Sequence, residues 1–128
     1  MDKTILLIDD DQDLIDAFQI AIESQGYNTE SANNGSDGYL KIKSHNPDLV
    51  ILDVMMDNDL EGYNLLHKIK EDQIYHNLPI IQLTGMVDQL GVNLRSAVEE
   101  QDELPNVYFE NKPIDPLRLI ELIKELLE

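Results

Sequence analysis

The chain has 128 residues, of which 26 are acidic and 9 basic, giving a formal net charge of -17. A surface that acidic repels phosphate backbones and anionic lipid, which argues against direct binding to nucleic acid or membrane and favours protein partners or cations. With 42% hydrophobic and 27% charged residues, no cysteine and few aromatics, the composition suits one folded domain over residues 1–128 and leaves no disulfide framework or thiolate metal site.

The apolar runs Ile5 to Ile8 and Leu49 to Leu52 are too short to span a bilayer. Met1-Asp2-Lys3-Thr4 does not open a signal peptide, so a cytoplasmic location is expected.

Thr4 to Ile8 reads as a buried strand running into Asp9-Asp10-Asp11. Gln12 to Gln25 places Leu14, Ile15, Phe18, Ala21 and Ile22 at helical spacing, with Gly26 as the stop. Tyr27 to Ala32 alternates weakly, as an exposed strand does, and Asn34-Gly35 marks a turn. Ser36 to Ser44 predicts a short helix with Tyr39, Leu40 and Ile42 inward. Asp48 to Asp53 is a second apolar strand, and Gly62 to Gln73 a helix carrying Tyr63, Leu65, Leu66 and Ile69.

Pro79 to Thr84 and Asn106 to Glu110 supply the fourth and fifth strands. Between them, Met86 to Pro105 has weak helical spacing at Leu90, Leu94 and Val98, diluted by Gly91 and an acidic run from Glu99 to Glu103 that reads as a solvated segment. Pro116 to Leu127 is the final helix, opened by Asp115 or Pro116. The alternation predicts an α/β fold, a doubly wound parallel sheet of five strands with helices on both faces.

Ligands in such sheets bind beyond the carboxyl ends of the strands, where strand order reverses. The first strand carries Asp9 and Asp10 at that end, the third Asp53 and the fourth Thr84, and Lys112-Pro113 follows the fifth. Converging carboxylates repel, and a hard divalent cation with oxygen ligands and water relieves them. An aspartate beside such a cation can act as a nucleophile toward a phosphoryl group. Lys112 can supply positive charge and the Thr84 hydroxyl a hydrogen bond.

Four segments standing in order resemble the receiver domains of two-component response regulators: Ile5-Leu-Leu-Ile-Asp9-Asp10-Asp11, Pro47-Asp-Leu-Val-Ile-Leu-Asp53-Val-Met-Met, Pro79-Ile-Ile-Gln-Leu-Thr84-Gly85 and Asn111-Lys112-Pro113. The resemblance runs from Ile5 to Leu127 and implies the flavodoxin-like receiver fold. It implies Asp53 as phosphoacceptor, with Mg2+ held by Asp9, Asp10, Asp53 and the backbone carbonyl of Met55. Thr84 would be the switch hydroxyl, Lys112 the family's lysine with a cis bond to Pro113, and Phe109 the aromatic switch. A sensor histidine kinase or phosphotransfer protein would donate the phosphoryl group, and an unknown downstream protein would read the result. The chain would then be a signalling switch with intrinsic autophosphorylation and autodephosphorylation, not a metabolic enzyme. Met55 and Met86 would flank the path of attacking water, implying slow dephosphorylation.

Two departures stand out. The family's Pro-Gly turn after Met56 is replaced by Asp57-Asn-Asp59-Leu-Glu-Gly62, and the interval from Thr84 to Lys112 is long. The first motivates a rival reading as a pseudo-receiver, an interaction module that never carries phosphate. A phosphatase with an aspartate nucleophile ranks lower, because Val54-Met55 follows Asp53 where those enzymes carry Asp-x-Asp.

Blander assignments remain for single residues. Asp11 reads as a solvated loop residue, and Thr84 can simply end a strand. Lys112 can be a surface lysine and Phe109 a static packing residue. His45, His67 and His76 are expected at the surface.

Overall fold

A computed structural model gives the architecture. It describes residues 3–53, 61–84, 106–111 and 114–128, apart from the side chains of 61–63, 84, 109 and 111. In chain order the elements are β1 (Thr4–Ile8), α1 (Gln12–Glu23), β2 (Asn28–Ala32), α2 (Gly35–His45), β3 (Leu49–Asp53), α3 (Glu61–Glu71), β4 (Ile80–Thr84), β5 (Val107–Asn111) and α4 (Pro116–Leu127). The sequence reading over Met86 to Pro105 lies outside the described residues.

All strand pairings are parallel, in the order β2-β1-β3-β4-β5. Side chains alternate across a strand, so each central strand feeds two cores. On one face Ile5, Leu7, Leu49, Ile51, Ile81 and Leu83 pack under α1 and α4, through Ile15, Phe18 and Ile22 and through Leu119, Leu122 and Ile123. On the other, Leu6, Ile8, Val50, Leu52 and Ile80 pack under α2 and α3, through Ile42 and through Leu65, Leu66 and Ile69. Two-sided burial is why β1 and β3 read as unbroken apolar runs. Each fully buried Ile or Leu contributes about 1.5–3 kcal/mol. No helix among the described residues is long and apolar enough to cross a membrane.

Side chains cap three helix starts. Asp11 accepts from the Leu14 amide at 3.2 Å, Asn34 from Asp37 at 2.8 Å, and Asp115 from Leu117 at 2.9 Å, with Pro116 opening α4. Each such cap contributes about 1 kcal/mol. Asp11 is therefore a cap and not merely a solvated loop residue, and Asn34-Gly35 is the start of α2 rather than a separate turn.

One expectation is corrected in α2. Leu40 points to solvent with 60% of its surface exposed, although it was expected inward with Tyr39 and Ile42. The buried stripe is Gly35, Gly38 and Ile42, set by the close approach of α2 to β1. Leu40 lies two residues from both Gly38 and Ile42, about 200° around the helix from each. Tyr39 is half-buried and joins α2 to α3: the Lys43 and Lys68 ammonium groups lie 4.5 and 4.4 Å from its ring centroid, and its hydroxyl donates to Asp72 at 2.9 Å. Among the histidines, His45 and His76 are exposed as expected, whereas His67 is half-buried on α3.

Candidate functional site

β1 and β3 are neighbours in the sheet although β2 lies between them in sequence, so strand order reverses at this pair. Ile8 pairs with Leu52 in register. The next residues, Asp9 just beyond β1 and Asp53 closing β3, therefore lie side by side, about one strand spacing apart. Both fall on the face covered by α1, by the alternation that puts Leu7 and Ile51 there.

One carboxylate oxygen from each of Asp9, Asp10 and Asp53 lies within 4.8 Å of the others. Asp9 and Asp53 are 95% buried, whereas Asp10 is exposed. The donors are all hard oxygen atoms, and the exposed member leaves an open side for water. That chemistry fits a hard divalent cation.

The turn that presents these acids is held by several hydrogen bonds. The Asp9 amide donates to the Ala32 carbonyl at 3.1 Å, and the Asp11 amide donates to Asp9 Oδ1 at 3.0 Å. Asn33 Nδ2 donates to the Asp9 carbonyl at 3.2 Å and to Gln12 Oε1 at 3.0 Å. Beneath the acids Leu7, Leu14, Ile15, Phe18, Ile51 and Leu83 help line a cavity of about 10 Å³, room for roughly one water molecule. The carboxylates thus stand on an apolar floor. α1 begins two residues after Asp10, and the positive end of a helix dipole favours negative charge nearby.

The remaining candidates are placed only in part. Thr84 ends β4 one residue beyond Leu83, the register partner of Asp53, and is itself paired with Asn111 of β5. Phe109 is in the middle of β5, opposite Gln82. Nothing further is described of either side chain. Met55, Lys112, Pro113 and Met86 lie outside the described residues. Asn33 was not singled out in the sequence; its signal is a polar residue directly after β2, at the register position level with Asp9.

A family model described as the response regulator receiver domain matches residues 5–124. The chain belongs to that family. Among curated relatives, the receiver domain is 29% identical over 125 residues to the phosphate regulon transcriptional regulatory protein PhoB of Pseudomonas aeruginosa, covering 98% of this chain and 52% of that one. It is 37% identical over 86 residues to the CAI-1 autoinducer sensor kinase/phosphatase CqsS of Vibrio cholerae, covering 66% of this chain and 12% of that one. Among solved structures, the CheY-like receiver domain protein of Methanospirillum hungatei superposes with a TM-score of 0.81 at 29% identity, covering 98% of this chain and 93% of that one. The chain spans about half the length of the first curated regulators it matches. Membership makes it a receiver domain of two-component response regulators, a signalling switch with the parallel five-stranded fold described above.

Proposed function

We propose that Asp53 is the phosphoacceptor of a phosphorelay and that the acidic cluster is a Mg2+ site. The observation that carries the reading is the convergence of the Asp9, Asp10 and Asp53 carboxylates within 4.8 Å at the strand-order reversal. Asp9, Asp10 and Asp53 would hold the cation, with the Met55 carbonyl completing the protein ligands. Bound there, Mg2+ supplies neutralisation of the acids and polarisation of the phosphoryl oxygens.

In the transfer, a carboxylate oxygen of Asp53 attacks phosphorus of a phosphohistidine on a sensor kinase or phosphotransfer protein. The P–N bond breaks, its electron pair returns to the imidazole nitrogen, and an acyl phosphate forms on Asp53. Lys112 balances the added charge and the Thr84 hydroxyl donates to a phosphoryl oxygen. Phosphorylation then shifts the population toward an active conformation, with Thr84 and Phe109 as the moving elements, and changes which protein partner binds. Water hydrolyses the acyl phosphate and restores the carboxylate.

The test is direct. The protein is incubated with a small phosphodonor and Mg2+, and its intact mass is measured. A gain of one phosphoryl group that EDTA and Asp53→Asn both abolish supports the reading. No gain makes the chain an interaction module that never carries phosphate.

A further inference from the structure

We infer that Asn33 is a positioning residue for the cation-binding turn, acting by pinning the backbone that carries Asp9 and Asp10. The inference rests on the metal reading above and extends it to a residue on a different loop.

Asn33 follows the last residue of β2, and the pairing of Ile8 with Ala32 makes Asn33 the position level with Asp9. The ladder continues for one more bond, from the Asp9 amide to the Ala32 carbonyl. In a parallel pair the following bond comes from the opposite strand to the Asp9 carbonyl. At that point β2 gives way to α2, because Asn34 leaves the sheet to cap the helix with φ -155° and ψ 170°. The side-chain amide of Asn33 reaches back and takes the Asp9 carbonyl, at 3.2 Å.

The same nitrogen donates to Gln12 Oε1 at 3.0 Å, and Gln12 Nε2 in turn donates to Asp16 Oδ1 at 2.8 Å. One neutral amide therefore grips both ends of the segment from Asp9 to Gln12. It links strand end, turn and first helical turn to a loop 24 residues away.

The residue type suits the task. Two N–H donors on one planar group are needed, one for each acceptor. A lysine or arginine could supply them, but its charge would sit beside a cation site and oppose metal binding. Asparagine supplies both donors without charge. Before the cation arrives, mutual repulsion pushes Asp9, Asp10 and Asp53 apart. A turn held on the Asp9 backbone resists that push and keeps the oxygens in place for metal. Residues that orient metal ligands typically contribute about 10- to 100-fold to affinity.

The experiment titrates the whole protein with Mg2+ by calorimetry. It compares wild type with Asn33→Ala, Asn33→Leu, Gln12→Ala and Asp10→Asn, and follows amide exchange at Asp11 in EDTA. Asn33 is exposed, so its variants keep the core. The expected result is a Kd about ten-fold higher for both Asn33→Ala and Asn33→Leu, with a smaller rise for Gln12→Ala. Faster exchange at Asp11 and unchanged exchange in β3 and β4 accompany it. Leucine fills much of the same volume, so affinity kept by Asn33→Leu but lost in Asn33→Ala would assign a packing role and overturn the inference. Wild-type affinity in both Asn33 variants also overturns it. If wild type shows no saturable binding that Asp10→Asn weakens, the metal reading falls and takes this one with it.

Discussion

Replacing Gly38 by alanine sets two effects of known size against each other. On helix propensity alone, Gly38→Ala in α2 stabilises by about 1 kcal/mol. Yet a Cβ built at Gly38 meets Ile8 Cδ1 at 2.6 Å, Cγ1 at 3.0 Å and Cγ2 at 3.2 Å. Ile8 is fully buried in the core between α2 and the sheet. Restoring ordinary contact requires a shift of about 1 Å, and overpacking of that kind costs about 1–3 kcal/mol. The net expectation is destabilisation by about 1 kcal/mol, the reverse of the propensity effect. Ile8→Val removes Cδ1, the nearest atom, and by itself costs about 0.5–1.5 kcal/mol. Urea unfolding of wild type, both single variants and the double variant closes a cycle. The double variant is expected to be more stable than the sum of the singles predicts, by about 1 kcal/mol or more. A stabilised Gly38→Ala with no coupling to position 8 would refute the argument and show that α2 moves freely on β1. Because Ile8 directly precedes Asp9, Gly38→Ala should also weaken Mg2+ binding while leaving every ligand in place.

The other expectations concern buried polar groups and the metal. Burial pushes the Lys70 ammonium from its usual 10.5 down to about 8, while it donates to the His76 and Leu78 carbonyls at 3.0 and 2.6 Å. Between those two values the unfolded chain keeps a proton that the folded chain has released. Stability therefore rises with pH from about 8 toward 10.5, by at most about 1.4 kcal/mol per pH unit. Lys70→Met should flatten that part of a pH series; an unchanged slope would assign it to another group. Above pH 10 Tyr27 works in the opposite sense: burial first, then its hydrogen bond to Glu128, raises it from 10.0 to about 12, so stability falls as pH climbs through that window. Gln82 is 1% exposed, and among the described residues its Oε1 has no hydrogen-bond partner. Gln82→Met should stabilise by about 1 kcal/mol in thermal or urea unfolding, and a loss of stability would show that the amide is satisfied. Saturating Mg2+ at about one hundred times its Kd should add about 2.7 kcal/mol to unfolding stability, an increment that Asp10→Asn shrinks at the same concentration.

The strands and helices were legible wherever a single physical signal dominated. β1 and α4 have the bounds expected for them, because an apolar run meeting a string of acids, and a Pro behind an Asp cap, each mark an edge sharply. α1 stops two residues short of Gln25, since the helical spacing ends at Ile22 and Ser24, Gln25 and Gly26 only form a turn. Leu40 was misplaced for a different reason. Hydrophobicity marked it as inward, but Gly38 decided which face α2 lays on the sheet, and a missing side chain leaves no hydrophobic signal. The site divided in the same way. Asp9, Asp10 and Asp53 were visible because each is an acid at the end of an apolar run. Asn33 was not, because an asparagine in a turn acquires meaning only once β2 is known to pair with β1 in a register that sets it beside Asp9.

That register also explains why the acids can converge at all. The connection leaving β1 passes through α1 on one face of the sheet, and the one leaving β3 leads to α3 on the other. Neighbouring strands whose connections depart to opposite sides leave a crevice at their carboxyl ends that neither helix covers. Two of the acids are sunk into this crevice against an apolar floor and the third stays in water. Burial makes the charge of the inner pair costly to hold without a cation, and the exposed acid alone would bind a cation only weakly. Together they form a buried base with one exposed lip. Under the proposed function a cation would enter there without first shedding all its water, and a phosphoryl donor would approach from the same side. The construction needs the turn after β1 to hold its shape before either arrives, which is the part inferred for the uncharged Asn33 amide on the neighbouring loop.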